Sequence, residues 1–262
     1  MSSYFGIAGA SLVLPSVTPD WNACIPASMK RRDPRIWHIA YSAAHKVINE
    51  TGINPASIIA GTALGALDET KNFLDTVFDT RFGNPRHFIA SVHNSMAGKI
   101  ALEFQIKGPN LTVCDGQNSL ASAIASLDTL NESDFPVLVL LIDEHIPLLD
   151  TLHPHFSSLC KDYLEKDWID GAFAMILDCD SAKNTNKIRV FGPSIANGSV
   201  DTSIQSLAKD NHVTSDISIH STSYLAPGIA VYNHLSEGKG TGTIASYAPS
   251  SDSVALIELY CT

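Results

Sequence analysis

The fold class is decided by one stretch of the chain, Lys107-Gly108-Pro109-Asn110-Leu111-Thr112-Val113-Cys114-Asp115-Gly116-Gln117-Asn118-Ser119-Leu120. Residues 111–113 predict a strand, residues 114–116 a tight turn, and residues 117–130 a helix. That helix is apolar or small around most of its circumference, which is typical of a helix buried between layers. The stretch therefore predicts a strand, turn and helix unit in the interior of an α/β protein.

The sequence on either side alternates strands with helices. Residues 33–52 predict a helix with Asp33 as N-cap, Pro34 at the first helical position and Gly52 as the C-terminal stop. Further helices are predicted at 94–105 and 224–235, and strands at 5–14, 57–62, 137–142, 171–177 and 254–260. This alternation predicts an α/β fold with a mostly parallel sheet. Residues 161–170 predict an exposed helix, residues 181–216 are polar and irregular, and we expect no internal repeat.

Composition excludes several classes of function. With 262 residues and a formal net charge of −10, the chain is an unsuitable partner for nucleic acid. The basic cluster at 30–35 is small, so we interpret it as a solvated turn rather than an anion-docking patch. The first residues show no basic n-region or apolar h-region, and no apolar run reaches the ~20 residues of a membrane span, so we expect a cytoplasmic protein. Five scattered cysteines favour neither a disulfide framework nor a zinc site, and we expect no metal and no cofactor.

Residues 107–120 resemble the nucleophile segment of the β-ketoacyl synthases, whose pattern is roughly G-P-S-x-T-V-D-T-A-C-S-S-S. The matching positions are Gly108, Pro109, Thr112, Val113 and Ser119. Residues 31–35, 61–65 and 94–98 resemble other segments of the same family. The resemblance implies a thiolase-like fold in one domain spanning 1–262, with residues 5–180 similar to its N-terminal half and 181–262 a truncated C-terminal half.

The departures from the family pattern bear on function. The position of the family's cysteine falls on Gln117, and an amide is not a nucleophile at neutral pH, so we expect no catalytic residue. Cys114 aligns three residues earlier and is not expected to reach the site. Residues 238–243 resemble the family's first histidine motif with Lys239 in place of histidine, although a glycine-rich hairpin before the last strand is the favoured interpretation.

Glutamine in place of cysteine is found in chain-length factors, the non-elongating partners of active ketosynthases. A short form occurs in aryl polyene clusters, and this chain is most similar to that group. The resemblance implies a heterodimer with a cysteine-containing ketosynthase, and acyl carrier protein as a partner of the complex. It implies an interface through Asn110, Leu111, Thr112 and Val113, and a tunnel or gating set of Phe88, Ser91, His93, Met96 and Gln117. The alternative is a glutamine-type malonyl-carrier-protein decarboxylase.

Other interpretations remain open at the level of sequence. Gln117 is either a gating or decarboxylation-assisting amide or a relic that caps its own turn, and the loop at 88–93 either lines a tunnel or packs in the core. Asp68 and Glu69 are better explained as acidic residues in the first turn of a helix, where the helix dipole favours negative charge, than as a pair for acid–base catalysis. The histidines at 145, 153 and 155 fit a protein surface better than a metal site.

Overall fold

The computed structural model describes residues 4–30, 33–156, 169–180, 182–220, 223–238 and 240–261. Its strands are β1 (Phe5–Val13), β2 (Ser57–Gly61), β3 (Asn110–Val113), β4 (Val137–Asp143), β5 (Gly171–Asp178), β6 (Lys187–Ile195), β7 (Ile217–Ile219), β8 (Thr241–Ala248) and β9 (Ser253–Tyr260). Its α-helices are α1 (Ala27–Lys30), α2 (Arg35–Thr51), α3 (Leu67–Thr80), α4 (Pro85–Ser91), α5 (Asn94–Glu103), α6 (Ser119–Ala125), α7 (Pro147–Phe156), α8 (Val200–Asp210) and α9 (Ala226–Glu237). The α/β prediction is confirmed, but the expectation of a mostly parallel sheet was wrong, because five of the eight pairs between the described strands are antiparallel.

The described strands form one sheet of nine, in the order β3-β2-β4-β5-β1-β6-β9-β8-β7. The pairs β2–β3 and β2–β4 are parallel, whereas β5 runs antiparallel to both β4 and β1. Strand β4 is buried along its whole length, which agrees with its continuous apolar sequence. Helices α2 and α5 contribute to one apolar core beside the sheet, and α6 and α9 contribute to a second.

The topology repeats, contrary to our expectation of no internal repeat. In the first half, β2 and β4 are parallel, and β5 is antiparallel to both β4 and β1. In the second half, β7 and β8 are likewise parallel, and β9 is antiparallel to both β8 and β6. Helix α8 follows β6 as α2 follows β1. In the described part of the second half, no strand corresponds to β3 and no helices correspond to α3–α5. The prediction of a nearly complete first half and a shortened second half is confirmed.

Several local predictions were wrong. The N-cap of α2 is Pro34 instead of Asp33, whose carboxylate lies 3.2 Å from the ammonium of Lys99. The helix predicted at 117–130 is divided into a 3₁₀ turn at Gly116–Asn118, helix α6, and a second 3₁₀ turn at Ser126–Thr129. Residues 88–91 belong to helix α4 instead of a loop.

The polar segment 181–216 contains β6 and α8, neither of which we assigned from the sequence; the fully buried residues of α8 are Ser203, Ile204 and Ala208. Gly238 caps α9, and Thr241 begins strand β8, so residues 238–243 join a helix to a strand and do not form the hairpin we predicted. The exposed helix predicted at 161–170 falls mostly outside the described residues. No helix in the described ranges is long and apolar enough to span a membrane.

Candidate functional site

Gln117 lies in a tight turn between strand β3 and helix α6. Gly116 has a φ of 51°, a left-handed conformation that glycine adopts without the steric cost of a Cβ atom. Residues Gly116–Asn118 form a single 3₁₀ turn that leads directly into α6. The prediction of a strand, turn and buried helix here is confirmed, and Gln117 is only 6 % exposed.

Ser119 fastens this turn to the end of β2. Its hydroxyl lies 3.0 Å from the carbonyl oxygen of Thr62 and 2.7 Å from that of Gly116, and it accepts the backbone N–H of Asp115 at 3.0 Å. A Cβ atom on Gly61 would lie 2.7 Å from the carbonyl oxygen of Ser119. Glycine at 61 therefore allows the close approach of β2 to the turn that carries Gln117.

Asn118 joins the same turn to the second half of the fold. It is fully buried, and its amide nitrogen donates to the carbonyl and hydroxyl oxygens of Ser253, both at 2.9 Å. Its amide oxygen accepts from the Ser246 hydroxyl at 2.6 Å. The Ser251 hydroxyl also donates to the carboxylate of Asp115 at 2.9 Å. The shortened second half thus supports the turn through polar contacts from β8, β9 and the turn between them.

Gln117 lines a cavity of about 540 Å³. The cavity lies between the ends of β2 and β3, the N-terminal end of α9 and the turn that joins β8 to β9. Its walls are formed by Ala63, Leu64, Cys114, Asp115, Gly116, Gln117, Tyr224, Pro249, Ser250 and Ser251. No described residue hydrogen-bonds the side-chain amide of Gln117. The amide therefore does not cap its own turn, which Ser119 and Asp115 hold instead.

Cys114 is exposed and lines this cavity, contrary to our expectation that it does not reach the site. The expectation was wrong because β3 ends at Val113, and the irregular backbone after it turns the next residues towards the cavity. Burial and the nearby negative charge of Asp143 raise the pKa of the Cys114 thiol. A raised pKa keeps the thiol protonated at neutral pH, which makes it a weak nucleophile.

A buried carboxylate shapes the opposite wall of the cavity. Asp143 accepts hydrogen bonds from the Thr62 hydroxyl at 3.0 Å, from the Ala63 N–H at 2.9 Å and from the Leu64 N–H at 2.8 Å. Burial raises the pKa of Asp143 to about 6, although these hydrogen bonds oppose the shift. Asp143 is therefore mainly a structural anchor for residues 62–64.

The other residues of the predicted tunnel set lie outside this cavity. Phe88 is exposed on α4, and the Ser91 hydroxyl donates to the carbonyl oxygen of Phe88 at 2.8 Å. Met96 is buried in the core beside α2. The ring of His93 packs so closely against Gly65 that a Cβ atom there would lie 2.6 Å from it. The structure thus separates Gln117 from the surface residues on α4.

Strand β3 forms one edge of the sheet, with Asn110 and Leu111 exposed. Helices α3 and α4 and the residues directly after each of them carry a group of large apolar side chains that are 44 to 80 % exposed, which we call the apolar surface: Leu74, Phe78, Phe82, Phe88, Ile89 and Val92. A hydrogen bond of 2.6 Å between the carboxylate of Glu69 and the Nδ1 atom of His87 joins the two helices. A group of this size on one helical pair is typical of a protein contact surface.

The other charged residues that the sequence singled out lie outside the lining of the cavity beside Gln117. Asp68 and Glu69 lie in the first turn of α3, as predicted. His145 pairs with Asp150 at 2.9 Å on the surface, whereas His153 and His155 lie in α7. Within the ranges that the structure describes, no group of three or more histidine, cysteine, aspartate or glutamate side chains could hold a metal ion.

Sequence reasoning missed Asp143, Asn118, Ser253 and the apolar surface. A carboxylate at the end of a buried strand was the available signal for Asp143, since buried charges require hydrogen-bonding partners. Apolar residues at 74 and 78, spaced by one helical turn, were the signal for the apolar surface, but this spacing is more commonly a core face. Nothing in the local sequence connects Asn118 with Ser253.

Solved structures share this fold at low sequence identity. The ishigamide ketosynthase/chain length factor matches with 12% identity and a TM-score of 0.69, covering 92% of this chain and 85% of that chain. The ketosynthase ApeO in complex with its chain length factor ApeC from Xenorhabdus doucetiae matches with 13% identity and a TM-score of 0.64, covering 98% of each chain. The complex AntDE:AntF, a type II polyketide acyl-carrier protein with its ketosynthase, matches with 12% identity and a TM-score of 0.75 over 100% of both chains.

These matches confirm the expected thiolase-like fold. A search of curated protein sequences found no match. The model of the β-ketoacyl synthase N-terminal domain matches residues 10–214, a range that includes the turn at Gln117 and most of the described sheet. The chain therefore belongs to the β-ketoacyl synthase N-terminal domain family.

Proposed function

We propose that this chain is a non-elongating chain-length factor that forms a heterodimer with an active, cysteine-containing ketosynthase. The observation that carries the proposal is Gln117 at the turn where the family places its nucleophile. The geometry of the turn is retained, yet its side chain cannot form a thioester. The remaining thiol in the cavity, Cys114, has a raised pKa and is a poor replacement.

Two exposed features support a partner subunit. Strand β3, from Asn110 to Val113, lies at the edge of the sheet, and an edge strand presents unpaired backbone groups that another chain can bind. The apolar surface on α3 and α4 would leave large side chains in water if the chain were alone. A ketosynthase of the same fold could pair its own edge strand with β3 across a pseudo-twofold axis and cover both features.

In this proposal Phe88, Ser91 and His93 line the acyl tunnel of the partner, and Met96 supports them from the core. Larger side chains there shorten the space available to a growing chain, which is a steric effect. The two solved structures of ketosynthases with chain length factors support this role, and the structure that contains an acyl-carrier protein supports a carrier protein as a further partner. We place the complex in type II polyketide or aryl polyene biosynthesis, in the cytoplasm.

We do not propose the decarboxylase alternative. In the family, two histidines of the second half promote malonyl decarboxylation. Among the described residues, no histidine lines the cavity with Gln117.

Co-expression tests the proposal. The chain is produced with an affinity tag beside an untagged ketosynthase from the same gene cluster, and the purified material is weighed by native mass spectrometry. We expect a 1:1 complex of the two chains. Recovery of the tagged chain alone, with the ketosynthase soluble but unbound, would overturn the proposal.

A further inference from the structure

Strand β7 lies at the edge of the sheet opposite to β3, and its outer side has no neighbouring strand among the residues that the structure describes. The carbonyl oxygen of Asp216 and the N–H of His220 both bond to the backbone of β8. Because successive residues of a strand direct their backbone groups to opposite sides, the N–H and C=O groups of Ile217 and Ile219 point away from β8. Strand β7 therefore presents an open edge that a further strand can bind.

The internal repeat of the fold shows what stands at the corresponding edge of the first half. There, β3 pairs with β2 and contacts helix α6. In the second half β7 corresponds to β2, and α9 contacts β8 as α6 contacts β4. Where a counterpart of β3 would lie, the described chain has no strand. A groove of about 450 Å³ adjoins this open edge and is lined by β7, the start of β8 and the last turns of α9.

This groove is separate from the cavity beside Gln117. Tyr224, which precedes α9, lines that cavity, whereas Asn233 and Glu237 near the other end of α9 line the groove. The two sites have no lining residue in common among those that the structure describes. A molecule can therefore occupy the groove without contact with the turn that carries Gln117.

The groove carries negative charge. The carboxylates of Asp216 and Glu237 line it, and its described lining includes no lysine or arginine. Burial lowers the pKa of His220, so its ring is neutral at neutral pH and adds no positive charge. Glu237 is the last residue of α9, where the helix dipole also favours a cation. The groove is therefore complementary to a positively charged side chain.

The opposite face of β7 is apolar. Ile217 packs against the apolar cluster beside α8, and Ile219, two residues later on the same face, is 50 % exposed. A strand added to β7 would place alternate side chains on this face, and the side chains between them on the face of Asp216. An aliphatic residue would cover Ile219, and a basic residue would meet the carboxylate of Asp216.

We propose that the open edge of β7 and its groove bind an extended segment of another protein in which basic and aliphatic residues alternate. The segment adds a strand beside β7, where its backbone pairs with Ile217 and Ile219 and its basic side chains lie near Asp216 and Glu237. The inference goes beyond the proposed role as a chain-length factor, which uses the other edge of the sheet at β3. Failure of peptides to bind at β7 would leave the heterodimer intact, and failure of the heterodimer would leave β7 open.

Peptide binding tests the inference. A fluorescent peptide of sequence Val-Lys-Val-Lys-Val-Lys-Val is titrated with the full chain, and binding is followed by fluorescence anisotropy. We expect saturable binding with a dissociation constant below about 1 mM. The peptide Val-Glu-Val-Glu-Val-Glu-Val has the opposite charge and should not bind. The lysine peptide with methyl groups on its backbone nitrogens keeps its charge but cannot pair with a strand, so it should bind about tenfold more weakly or not at all.

Two double variants separate the groove from the general negative charge of the protein. Asp216→Asn with Glu237→Gln removes both carboxylates of the groove and should weaken binding of the lysine peptide about tenfold. Asp201→Asn with Asp210→Asn removes the same charge from exposed positions on α8 and should leave binding within about twofold, because exposed charges away from the groove are screened by salt.

Hydrogen exchange gives the position of the bound peptide. The N–H groups of Ile217 and Ile219 should exchange more slowly in the complex, by about tenfold, because they gain acceptors. Absence of binding by the lysine peptide, or equal binding by the glutamate or the N-methylated peptide, would overturn the inference. Equal weakening in the two double variants, or unchanged exchange at both isoleucines, would overturn it as well.

Discussion

The side-chain amide of Asn118 donates hydrogen bonds to the carbonyl and hydroxyl oxygens of Ser253, which lies 135 residues later in the chain. Asn118 follows Gln117, and Ser253 begins the last strand. The shortened second half has no counterpart of β3 in its described part, yet it keeps the strands that reach this turn. The geometry of the turn therefore depends on both halves of the fold.

Replacing Asn118 tests this dependence. Asn118→Leu keeps the approximate volume but removes the buried partner of the Ser246 hydroxyl and of the Ser253 carbonyl oxygen, whereas the Ser253 hydroxyl keeps its contact with Ser251. We expect it to lower the free energy of unfolding by about 2–4 kcal/mol, measured by urea denaturation. Asn49→Leu is the matched control, because Asn49 is exposed and bonds only to the ring of His45, and it should change stability by less than about 0.5 kcal/mol. Equal effects of the two substitutions would contradict the role of Asn118.

The anchor at Asp143 predicts a local change in dynamics. Asp143→Ala removes the acceptor of the Ala63 and Leu64 N–H groups, so these amides should exchange with solvent faster, by about tenfold or more. Hydrogen exchange of peptides covering 62–65 measures the effect. Asp150→Ala, which removes an exposed carboxylate paired with His145, should leave these peptides unchanged. Unchanged exchange in Asp143→Ala would show that the loop is held by other contacts.

Glu144 predicts a pH dependence of stability. Burial, with the nearby charge of Asp68 as the next cause, raises the pKa of Glu144 from its ordinary value of 4.5 to about 8. The folded protein therefore binds a proton that the unfolded chain has lost, so stability falls as pH rises from about 4.5 to 8. The variant Glu144→Gln has no titrating carboxyl group at this position, so it lacks this contribution to the pH dependence of stability.

Thermal melts at pH 5 and pH 8 compare the two proteins. We expect the wild-type chain to lose on the order of 1–3 kcal/mol more stability than Glu144→Gln between these pH values. Glu50→Gln, at an exposed position, should follow the wild type. A parallel pH dependence of wild type and Glu144→Gln would show that Glu144 is not kept protonated by burial.

If the apolar surface is part of the interface with the ketosynthase, removing its aromatic side chains should weaken binding of the ketosynthase. Phe78 and Phe82 are each 80 % exposed, so the double replacement by serine should not lower the stability of the isolated chain. Burial of such side chains in an interface contributes about 1.5–3 kcal/mol each, so we expect the affinity for the ketosynthase to fall more than tenfold. Affinity is measured by surface plasmon resonance with the purified ketosynthase.

Ile195→Ser is the control for this substitution. Ile195 is similarly exposed but lies in the second half on β6, and its replacement should leave the affinity unchanged. An unchanged affinity in the phenylalanine double variant would show that the partner binds elsewhere.

Much of the first half could be predicted from the sequence because its elements carry strong local signals. The strand at 137–142 has a continuous apolar run, and helix α2 has an apolar stripe with Gly52 at its end. The segment 181–216 could not be assigned because α8 covers a small core and exposes most of its residues. The place of this segment in the fold depends on the pairing of β6 with β9, and these strands are far apart in the sequence.

The candidate site was partly predictable for the same reason. The turn at Gln117 lies within a strand and helix that are adjacent in sequence, so local pattern was sufficient to find it. The position of Cys114 in the cavity was not, because it depends on the irregular backbone at 114–115 and on the turn at 249–251, which comes from the other half. Alignment to a family pattern does not contain that geometry.

The central claim is that this chain assists a ketosynthase and performs no elongation itself. It is tested most directly by measuring chain elongation by the reconstituted pair when Gln117 of this chain is replaced by alanine, and when the nucleophilic cysteine of the ketosynthase is replaced by alanine. We predict that Gln117→Ala retains elongation within about twofold and that the ketosynthase variant loses it, since only a thiolate can carry the acyl chain. Elongation that persists without the ketosynthase cysteine, or that the chain performs alone, would contradict the claim.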